Sequence, residues 1–519
     1  MTHPYILSID QSTQGTKAML LDEYGSFLLR RDVPHRQIIS DSGWVGHDAS
    51  EIAANIFRAA RLALQDAGVD PAQVAAVAVT NQRESVAVWD RRTGEPVCES
   101  IVWQCNRATE LCRRLTSPET ERMVREKTGL QLSPFFSAPK VAWILENVPG
   151  ARERAERGEL CLGTMDTWTI WQLTGGAVHR TDASNASRTQ LFNIRTMQWD
   201  EELCRLYGIP MSMLPEVCDS DALYGETDLG GLLPHRVPIH AAIGDSHGVM
   251  FSHGCTELGD AMCGYGTGSC MLMNTGERVI TSRSGMNATV AWRVGGRTLY
   301  ALEGVANSSG SVVTWLKENA HLVASPAETA ALARSANPAD HTYMVPAFTG
   351  IGAPYWREET TAAFLGMTRL TGQAELVRAA LESIAYQIAD LVRAAQLKSE
   401  LEFIGLSSYQ DGTKSSGVVQ ITRDLQSDIT DRDIIVVEDI LDSGNTLAFL
   451  KAYLMTKGAR SVTIVTLLDK PSRREKAIHA DYAGFVVPDE FVVGYGLDYA
   501  QQYRNMPYIG VLKPEVYSK

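Results

Sequence analysis

The chain has 519 residues, 45% of them hydrophobic and 21% charged, with a formal charge of −13. That length asks for two to four domains, and the acidic balance excludes nucleic acid or an anionic membrane as the main partner. No apolar run is long enough to span a bilayer, and the nine Cys form no C-x-x-C pair and no metal-ligand spacing with His, so reduced thiols in a cytoplasmic protein are expected.

Met-Thr-His-Pro leads straight into residues 5–10 (YILSID), without a signal-peptide pattern. Residues 5–10 read as a strand ending in Asp10, 11–17 (QSTQGTK) as a small polar turn, and 18–22 as a second strand. Such a hairpin can bring backbone N–H groups and hydroxyls to a phosphate, with Asp10 holding Mg2+ through water; an ordinary capped turn has the same composition. Residues 48–67 carry helical apolar spacing (Ile52, Ile56, Ala59, Ala63). A buried strand over 74–79 runs into Thr80-Asn-Gln-Arg-Glu84. Arg83 and Glu84 together supply donors and acceptors suited to a polyhydroxylated ligand at a strand end, or form a surface ion pair. Residues 101–104 (IVWQ) place Trp103 on another apolar strand.

Residues 135–147 read as a turn and an amphipathic helix, 164–171 as an aromatic-rich segment containing Asp166, and 181–189 (TDASNASRT) as a polar loop. A strand over 238–244 ends in Asp245, either a base for a substrate hydroxyl or a helix N-cap. Residues 264–269 (GYGTGS) repeat the strand, small turn, strand pattern. Two such hairpins in two halves suggest a duplicated fold closing on a nucleotide. A meander over 289–303, a turn at 304–310 entering a helix, a Gly-rich turn within 343–352 and a long amphipathic helix over 375–395 follow.

Together these pieces resemble the FGGY carbohydrate kinases, and within them the glycerol kinases, over roughly residues 4–395. Residues 135–147 satisfy the family's first signature through Lys140, Trp143, Glu146 and Asn147. Residues 362–382 satisfy the second through Gly366, Glu375 and Glu382. The stretches NQRE (81–84), IVWQ (101–104), TDASNASRT (181–189), YGTG (265–268) and GAPYW (352–356) are similar to glycerol-kinase sequence. The resemblance implies an actin-like (ribonuclease H-like) α/β pair of domains with ATP and a polyol between them. It implies Asp245 as catalytic base, Asp10 and Asp245 at Mg2+, and Ser12, Thr13, Gln14, Lys17, Thr267 and Gly310 at the ATP phosphates. Arg83, Glu84, Trp103, Phe135, Ser246 and Cys270 would line the polyol site. Positioning and charge neutralisation would carry such a phosphoryl transfer. Three positions depart from the glycerol pattern: Phe135 stands for a Tyr, Ser246 for a Gln and Cys270 for a Phe. Fewer hydrogen bonds and smaller side chains imply a longer polyol, such as a tetritol. Ser12 for a Gly and Lys17 for an Arg keep the phosphate turn's electrostatics. The elements that would close the second domain and wall the adenine are not recognisable after residue 395, so a truncated second domain is expected.

A change of character follows a motif-free stretch at 393–403: all ten Trp lie at or before Trp356 and all nine Cys at or before Cys270. Residues 402–409 read as a strand, 411–417 (DGTKSSG) as a loop and 433–437 as a buried strand ending in Glu438 and Asp439. Ser443-Gly-Asn-Thr446 then opens a helix carrying Leu447, Leu450, Tyr453 and Leu454. Acids facing a ribose and a helix N-terminus facing a phosphomonoester give this a ligand reading; an acidic loop before a capped helix is the plain one. Residues 461–468 and 482–487 add strands of a parallel sheet.

From about 401 to 519 the chain resembles hypoxanthine(-guanine) phosphoribosyltransferase, on VVEDILDSGNTL (436–447), LLDKPSRR (467–474) and PDEFVVGYGLDY (488–499). The resemblance implies Glu438 and Asp439 at the ribose and metal, Asp442 as catalytic group at the purine N7, and Ser443, Gly444, Asn445 and Thr446 on the 5′-phosphate of phosphoribosyl pyrophosphate (PRPP). It further implies Lys470 at the purine O6, Phe491 stacking, Val492 offering backbone contacts, Asp498 at metal and Arg504 at pyrophosphate, with Ser407, Ser408 and Tyr409 in a lid and Gln410 where Gly is usual. The family's first strands and pyrophosphate loop have no match before residue 401. A parallel sheet lacking its central strand exposes unpaired backbone and an apolar face. The expectation is thus three segments, 1–250, 251–396 and 397–519: a mosaic of a kinase and a partial phosphoribosyltransferase. Polyol kinase chemistry ranks first, purine phosphoribosyl transfer second and a non-catalytic fusion third. The partners are small molecules, and a homo-oligomer stays open.

Overall fold

The computed structural model describes residues 4–395, 404–407, 420–425, 427–493, 497 and 509–517. It divides into two units: Met1–His321 with Ala339–Gly372 and Ala379–Leu397, and Leu322–Pro338 with Gln373–Arg378 and Lys398–Lys519.

In the first unit β1 (Tyr5–Gln11) and β2 (Gly15–Leu21) form the expected hairpin, with Asp10 opposite Lys17, and β3 (Phe27–Pro34) continues it antiparallel. Helix α1 (Ala49–Ala67) starts at Asp48, whose side chain accepts from the Ser50 and Glu51 N–H groups, and stops at left-handed Gly68. Its Ile52, Ile56, Ala59 and Ala63 are buried in the core with Leu7, Ile9 and Leu20 of the sheet. Burying each Ile contributes about 1.5–3 kcal/mol. β4 (Val74–Asn81) lies parallel to β1, and β5 (Val237–Gly244) parallel to β4. The register sets Gln11 beside Asn81, and Asn81 beside Gly244. Three parallel strands therefore end at one edge, and the next residues are Ser12, Gln82-Arg83-Glu84 and Asp245. Such an edge is where α/β sheets bind ligands.

Two local expectations change. Trp103 is not on a strand: the ladder stops at Ser100–Ile101, because the Trp103 N–H donates to the Ser85 hydroxyl (3.1 Å) rather than to a neighbouring strand. The stretch 181–189 is not simply a polar loop: it holds the end of a short strand, Arg180–Asp182, and a helical turn, Ala183–Ala186, and is buried throughout, because its polar groups satisfy one another. Asp182 there accepts from the Ser184 and Asn185 N–H groups and from the Ser220 hydroxyl.

Helix α2 (Ser137–Asn147) follows as expected, and helix α3 (Asp245–Ser252) starts at Asp245, with Gly244 rather than Asp245 as its cap. The second hairpin is β6 (Ala261–Tyr265) and β7 (Ser269–Gly276), in an antiparallel sheet with β8 (Asn287–Val294) and β9 (Arg297–Ala306) in the order β6-β7-β9-β8. Helix α4 (Gly310–Glu318) leaves this sheet, and the long helix α5 (Gln373–Ala394) packs Leu391 and Ala394 in a core with Met271, Met286 and Leu302.

In the second unit β10 (Asp433–Leu441), helix α6 (Asn445–Thr456), β11 (Ser461–Asp469) and β12 (Tyr482–Val486) make a parallel sheet in the order β10-β11-β12. Leu447, Leu450 and Leu454 of α6 cover one face against Leu441, Val462 and Ile464. Ile435 and Val437 are 68% and 74% exposed, and among the described residues β10 pairs only with β11. The strand expected to be buried over 433–437 is therefore present but exposed on this apolar face. Gly405–Ser407 forms the expected short strand, paired with Gln420–Arg423. Ser408, Tyr409, Gln410, Asp498 and Arg504 lie outside the described residues. No helix among the described residues is long and apolar enough to cross a membrane.

Candidate active site

The first unit gathers its charged residues where β1, β4 and β5 end. Asp10 Oδ2 accepts from Lys17 Nζ at 2.7 Å, while its Oδ1 is buried without a partner. The turn after β1 closes on itself, with the Ser12 N–H and hydroxyl both donating to the Gly15 carbonyl (3.0 and 2.9 Å). Trp103 Nε1 donates to the Thr13 hydroxyl (3.0 Å) and Gln37 to the Thr13 carbonyl (2.8 Å). Gln14 is exposed. Opposite in kind is the second turn, where the Ser309, Gly310 and Ser311 N–H groups reach the carbonyls of Thr267, Gly266 and Thr267. A Cβ on Gly310 would sit 2.6 Å from the Gly266 carbonyl oxygen, so the helix start meets the hairpin only through glycine.

Arg83 and Glu84 are buried, not a surface pair. Glu84 has φ +60°, in the left-handed region; the Ser137 hydroxyl holds its carbonyl at 3.0 Å and Arg188 Nε its Oε1 at 2.6 Å. Arg83 Nε donates to Asp245 Oδ1 (3.2 Å), Nη1 to Glu303 Oε1 and Nη2 to Cys270 Sγ (3.6 Å). Gly244 must lack a side chain here, since a Cβ would lie 2.7 Å from Arg83 Cδ.

Asp245 opens α3. Its Oδ1 also accepts from the Ser246 N–H (2.6 Å) and hydroxyl (3.2 Å), and the described residues give Oδ2 no donor. Although 43% of its side-chain surface opens to solvent, desolvation by the surrounding protein lifts its pKa above the ordinary carboxylate value, against the pull of Arg83. Phe135 packs edge-on against Trp103, Phe136 and Trp356, with centroids 5.9, 5.2 and 6.5 Å away. Lys140 Nζ, buried beneath, holds the Phe135 and Phe136 carbonyls, and burial draws its pKa down to about 7.

Two residues at this site carried no role in the sequence reading, Arg188 and Glu303, both buried on the far side of Arg83 and Glu84. Glu303 held a visible signal: it is a charge inside the apolar run YALEGVA (300–306).

The model of the FGGY carbohydrate kinase N-terminal domain matches residues 5–251, and that of the C-terminal domain residues 261–438. Glycerol kinase 1 of Thermotoga maritima is 45% identical over 387 residues, 75% of this chain and 78% of that protein. The chain belongs to the FGGY family of carbohydrate kinases. The glycerol kinase of Carboxydothermus hydrogenoformans is 43% identical over 425 residues, 82% of this chain and 85% of that protein. Plasmodium falciparum glycerol kinase, solved with ADP, superposes with a TM-score of 0.66 at 34% identity, over 76% of this chain and 79% of that one. Xylulose kinase of Lactobacillus acidophilus superposes equally well, at 0.66, with 21% identity over 76% of this chain and 79% of that one, and so shares the fold.

The FGGY match corrects one expectation. The C-terminal domain of this kinase is not missing, since its model extends to residue 438, beyond the end near 395 read from the sequence. A phosphoribosyl transferase domain model matches residues 378–500, overlapping the kinase match over 378–438.

The second unit assembles its own cluster. Burial, and then Asp439, raise the pKa of Glu438. Asp442 Oδ1 is buried without a partner. Ser443 to Thr446 turn into α6 through Gly444 at φ +83°, the Ser443 carbonyl taking the Glu475 N–H at 2.8 Å and Asn445 Nδ2 reaching Glu475 Oε2 at 2.8 Å. Lys470 is buried, with Nζ on the Glu490 carbonyl at 2.7 Å. Val492 is buried and follows Phe491 in the chain.

Proposed function

We propose that this protein is an ATP-dependent polyol kinase with Asp245 as its base. The observation that carries the reading is the arrangement at one sheet edge: a phosphate-type turn, a buried Arg83–Glu84 pair, and a carboxylate whose Oδ2 is left open while Oδ1 takes three donors. In this reading a polyol hydroxyl donates its proton to Asp245 Oδ2 as its oxygen attacks the terminal phosphorus of ATP, and ADP leaves. Arg83 and Glu84 orient the polyol, with Trp103 and Phe135 as its apolar wall. Ser12, Thr13, Gln14 and Lys17 from one hairpin, Thr267 from the other and Gly310 at the start of α4 face the phosphates.

Mg2+ fits beside Asp10. Its Oδ1 is a buried carboxylate oxygen without a donor. That suits an ion held by one or two carboxylates plus substrate phosphates. Asp10 and Asp245 would hold it; when bound, it neutralises charge on the transferring phosphates.

The polyol we infer is longer than glycerol. Phe135 brings no hydroxyl, the Ser246 hydroxyl is spent on Asp245, and Cys270 is small and engaged with Arg83. The test is ADP release across C3, C4 and C5 polyols; a higher kcat/KM for glycerol than for every longer polyol refutes the substrate assignment.

A second reading rests on the domain match at 378–500 and on the Ser443–Thr446 turn opening α6: purine phosphoribosyl transfer from PRPP by the C-terminal part of a mosaic chain. Asp442 would act there at the purine N7. Nucleotide formed from hypoxanthine and PRPP supports it; none formed at saturating PRPP and Mg2+ removes it, leaving that part as a non-catalytic fusion.

A further inference from the structure

The charged side chains of the kinase site continue inward from the cleft. Arg188 Nε binds Glu84 and its Nη2 pairs with Glu303 Oε2. Glu303 Oε1 takes Arg83 Nη1 and the Cys270 thiol, the latter at 3.3 Å. Arg83 Nε then meets Asp245. The order Glu84, Arg188, Glu303, Arg83, Asp245 alternates in sign throughout. Arg188 and Glu303 have no exposed surface, so neither can touch a substrate. Each nitrogen of Arg83 has a protein partner.

That last point governs substrate choice. A guanidinium is a planar fork whose direction is set by what holds its ends. Here two of the three holds, Glu303 and Cys270, come from the β7–β9 pair and draw the fork toward the second sheet. Cys270 and Val305 are register partners on those strands, and Glu303 lies opposite Leu272. Arg188 keeps Glu303 in place from the other side. A buried ion pair stripped of one member leaves an uncompensated charge, and that charge moves toward whatever countercharge or water it can reach. For Arg83 the direction of escape is Asp245 and the cleft.

We propose that Glu303, anchored by Arg188 and assisted by Cys270, is a positioning residue that holds Arg83 back from the cleft and so sets the length of polyol the site accepts. This rests on the polyol-kinase reading. With Glu303 uncharged, Arg83 reaches further into the site and shortens it.

The experiment compares kcat/KM for a C4 polyol and for glycerol, with KM for ATP measured alongside, in wild type, Glu303→Gln and Glu303→Asp. Glu303→Gln is expected to lower the C4-to-glycerol ratio at least tenfold while KM for ATP stays within twofold, and Glu303→Asp to restore much of the ratio. A purely structural lesion moves both KM values together and leaves the ratio alone; that outcome overturns the proposal. If Glu303→Gln does not fold, Cys270→Ala, which leaves the charge sequence intact, decides. A fall of threefold or more in the ratio supports the proposal, and an unchanged ratio overturns it. A wild-type protein that releases no ADP with any polyol overturns the kinase reading and this inference together. An active wild type whose variants keep the ratio overturns this inference alone.

Discussion

Replacing Asp245 by Asn tests the base with little change of shape. The amide oxygen can still accept from the Ser246 N–H, the Ser246 hydroxyl and Arg83 Nε, now at 2.6, 3.2 and 3.2 Å from Oδ1. The NH2 group then occupies the place of Oδ2, where it donates and cannot take a proton. Arg83 keeps the Glu303 charge, so the interior stays compensated and the melting temperature should move by only a few degrees. Loss of a positioned general base lowers kcat by about 10²–10⁴-fold, equivalent to roughly 2.7–5.5 kcal/mol of transition-state stabilisation. The assay is coupled ADP release at saturating ATP and polyol, with a thermal melt on the same sample. A folded Asp245→Asn protein that keeps more than a tenth of wild-type kcat would show that Asp245 is not the base.

Trp103→Phe keeps the apolar wall but removes the 3.0 Å hydrogen bond to Thr13; losing about 0.5–1.5 kcal/mol should raise KM for ATP about 2- to 12-fold with the polyol KM changed less, as steady-state kinetics will show. His47 is wholly buried against His35, with ring centroids 4.3 Å apart, and burial lowers its pKa to about 3. The unfolded chain therefore binds the extra proton below about pH 6.5, so the neutral ring's stability is complete above that pH and falls away as pH drops toward 3, by about 2 kcal/mol at pH 5. His47→Gln should flatten the decline of melting temperature between pH 7 and 5; an equally steep decline refutes the assignment. On the second unit, Val437→Lys at a 74% exposed position should change stability by no more than about 0.5 kcal/mol while reducing binding of a hydrophobic dye. Unchanged dye binding would mean that the bare face of β10 is not the surface it reports.

The kinase site was legible wherever chemistry coincides with a strand end. Asp10, Arg83, Glu84 and Asp245 each follow a short apolar run, and the parallel register of β1, β4 and β5 then brings them together. The partners of those residues were not legible. Arg83 and Glu303 are 220 positions apart, and Glu84 and Arg188 are 104 apart; only tertiary packing makes them neighbours. The stretch around Arg188 looked like a loop because it is polar, yet its polar groups satisfy one another and so can be buried. Trp103 misled in the opposite sense, its apolar context reading as strand although a hydroxyl of Ser85 already held its N–H. The second unit was more legible. The apolar runs 433–437 and 461–468 mark strands whatever they pair with, although the exposure of Ile435 and Val437 runs against the buried reading of the first.

The sign of the charge sequence bears on the role proposed for Asp245. Three carboxylates meet two guanidiniums, so one negative charge is unmatched. The four buried members, Glu84, Arg188, Glu303 and Arg83, sum to zero, which is the only arrangement a low-dielectric interior tolerates at modest cost. Burial by itself would raise the Glu303 carboxyl, but Arg188 and then Arg83 outweigh it and hold that carboxyl well below the usual range, so the pairing does not lapse near neutral pH. The unmatched charge falls on Asp245, the one member open to solvent. Had Glu303 been an apolar residue, Arg83 would have had Asp245 as its sole close countercharge on that side. That pairing would hold the carboxylate's pKa down and make it a weaker proton acceptor in the proposed reaction. Glu303 thus shares the charge of Arg83, which still orients Asp245 and draws its pKa down against the desolvation that raises it.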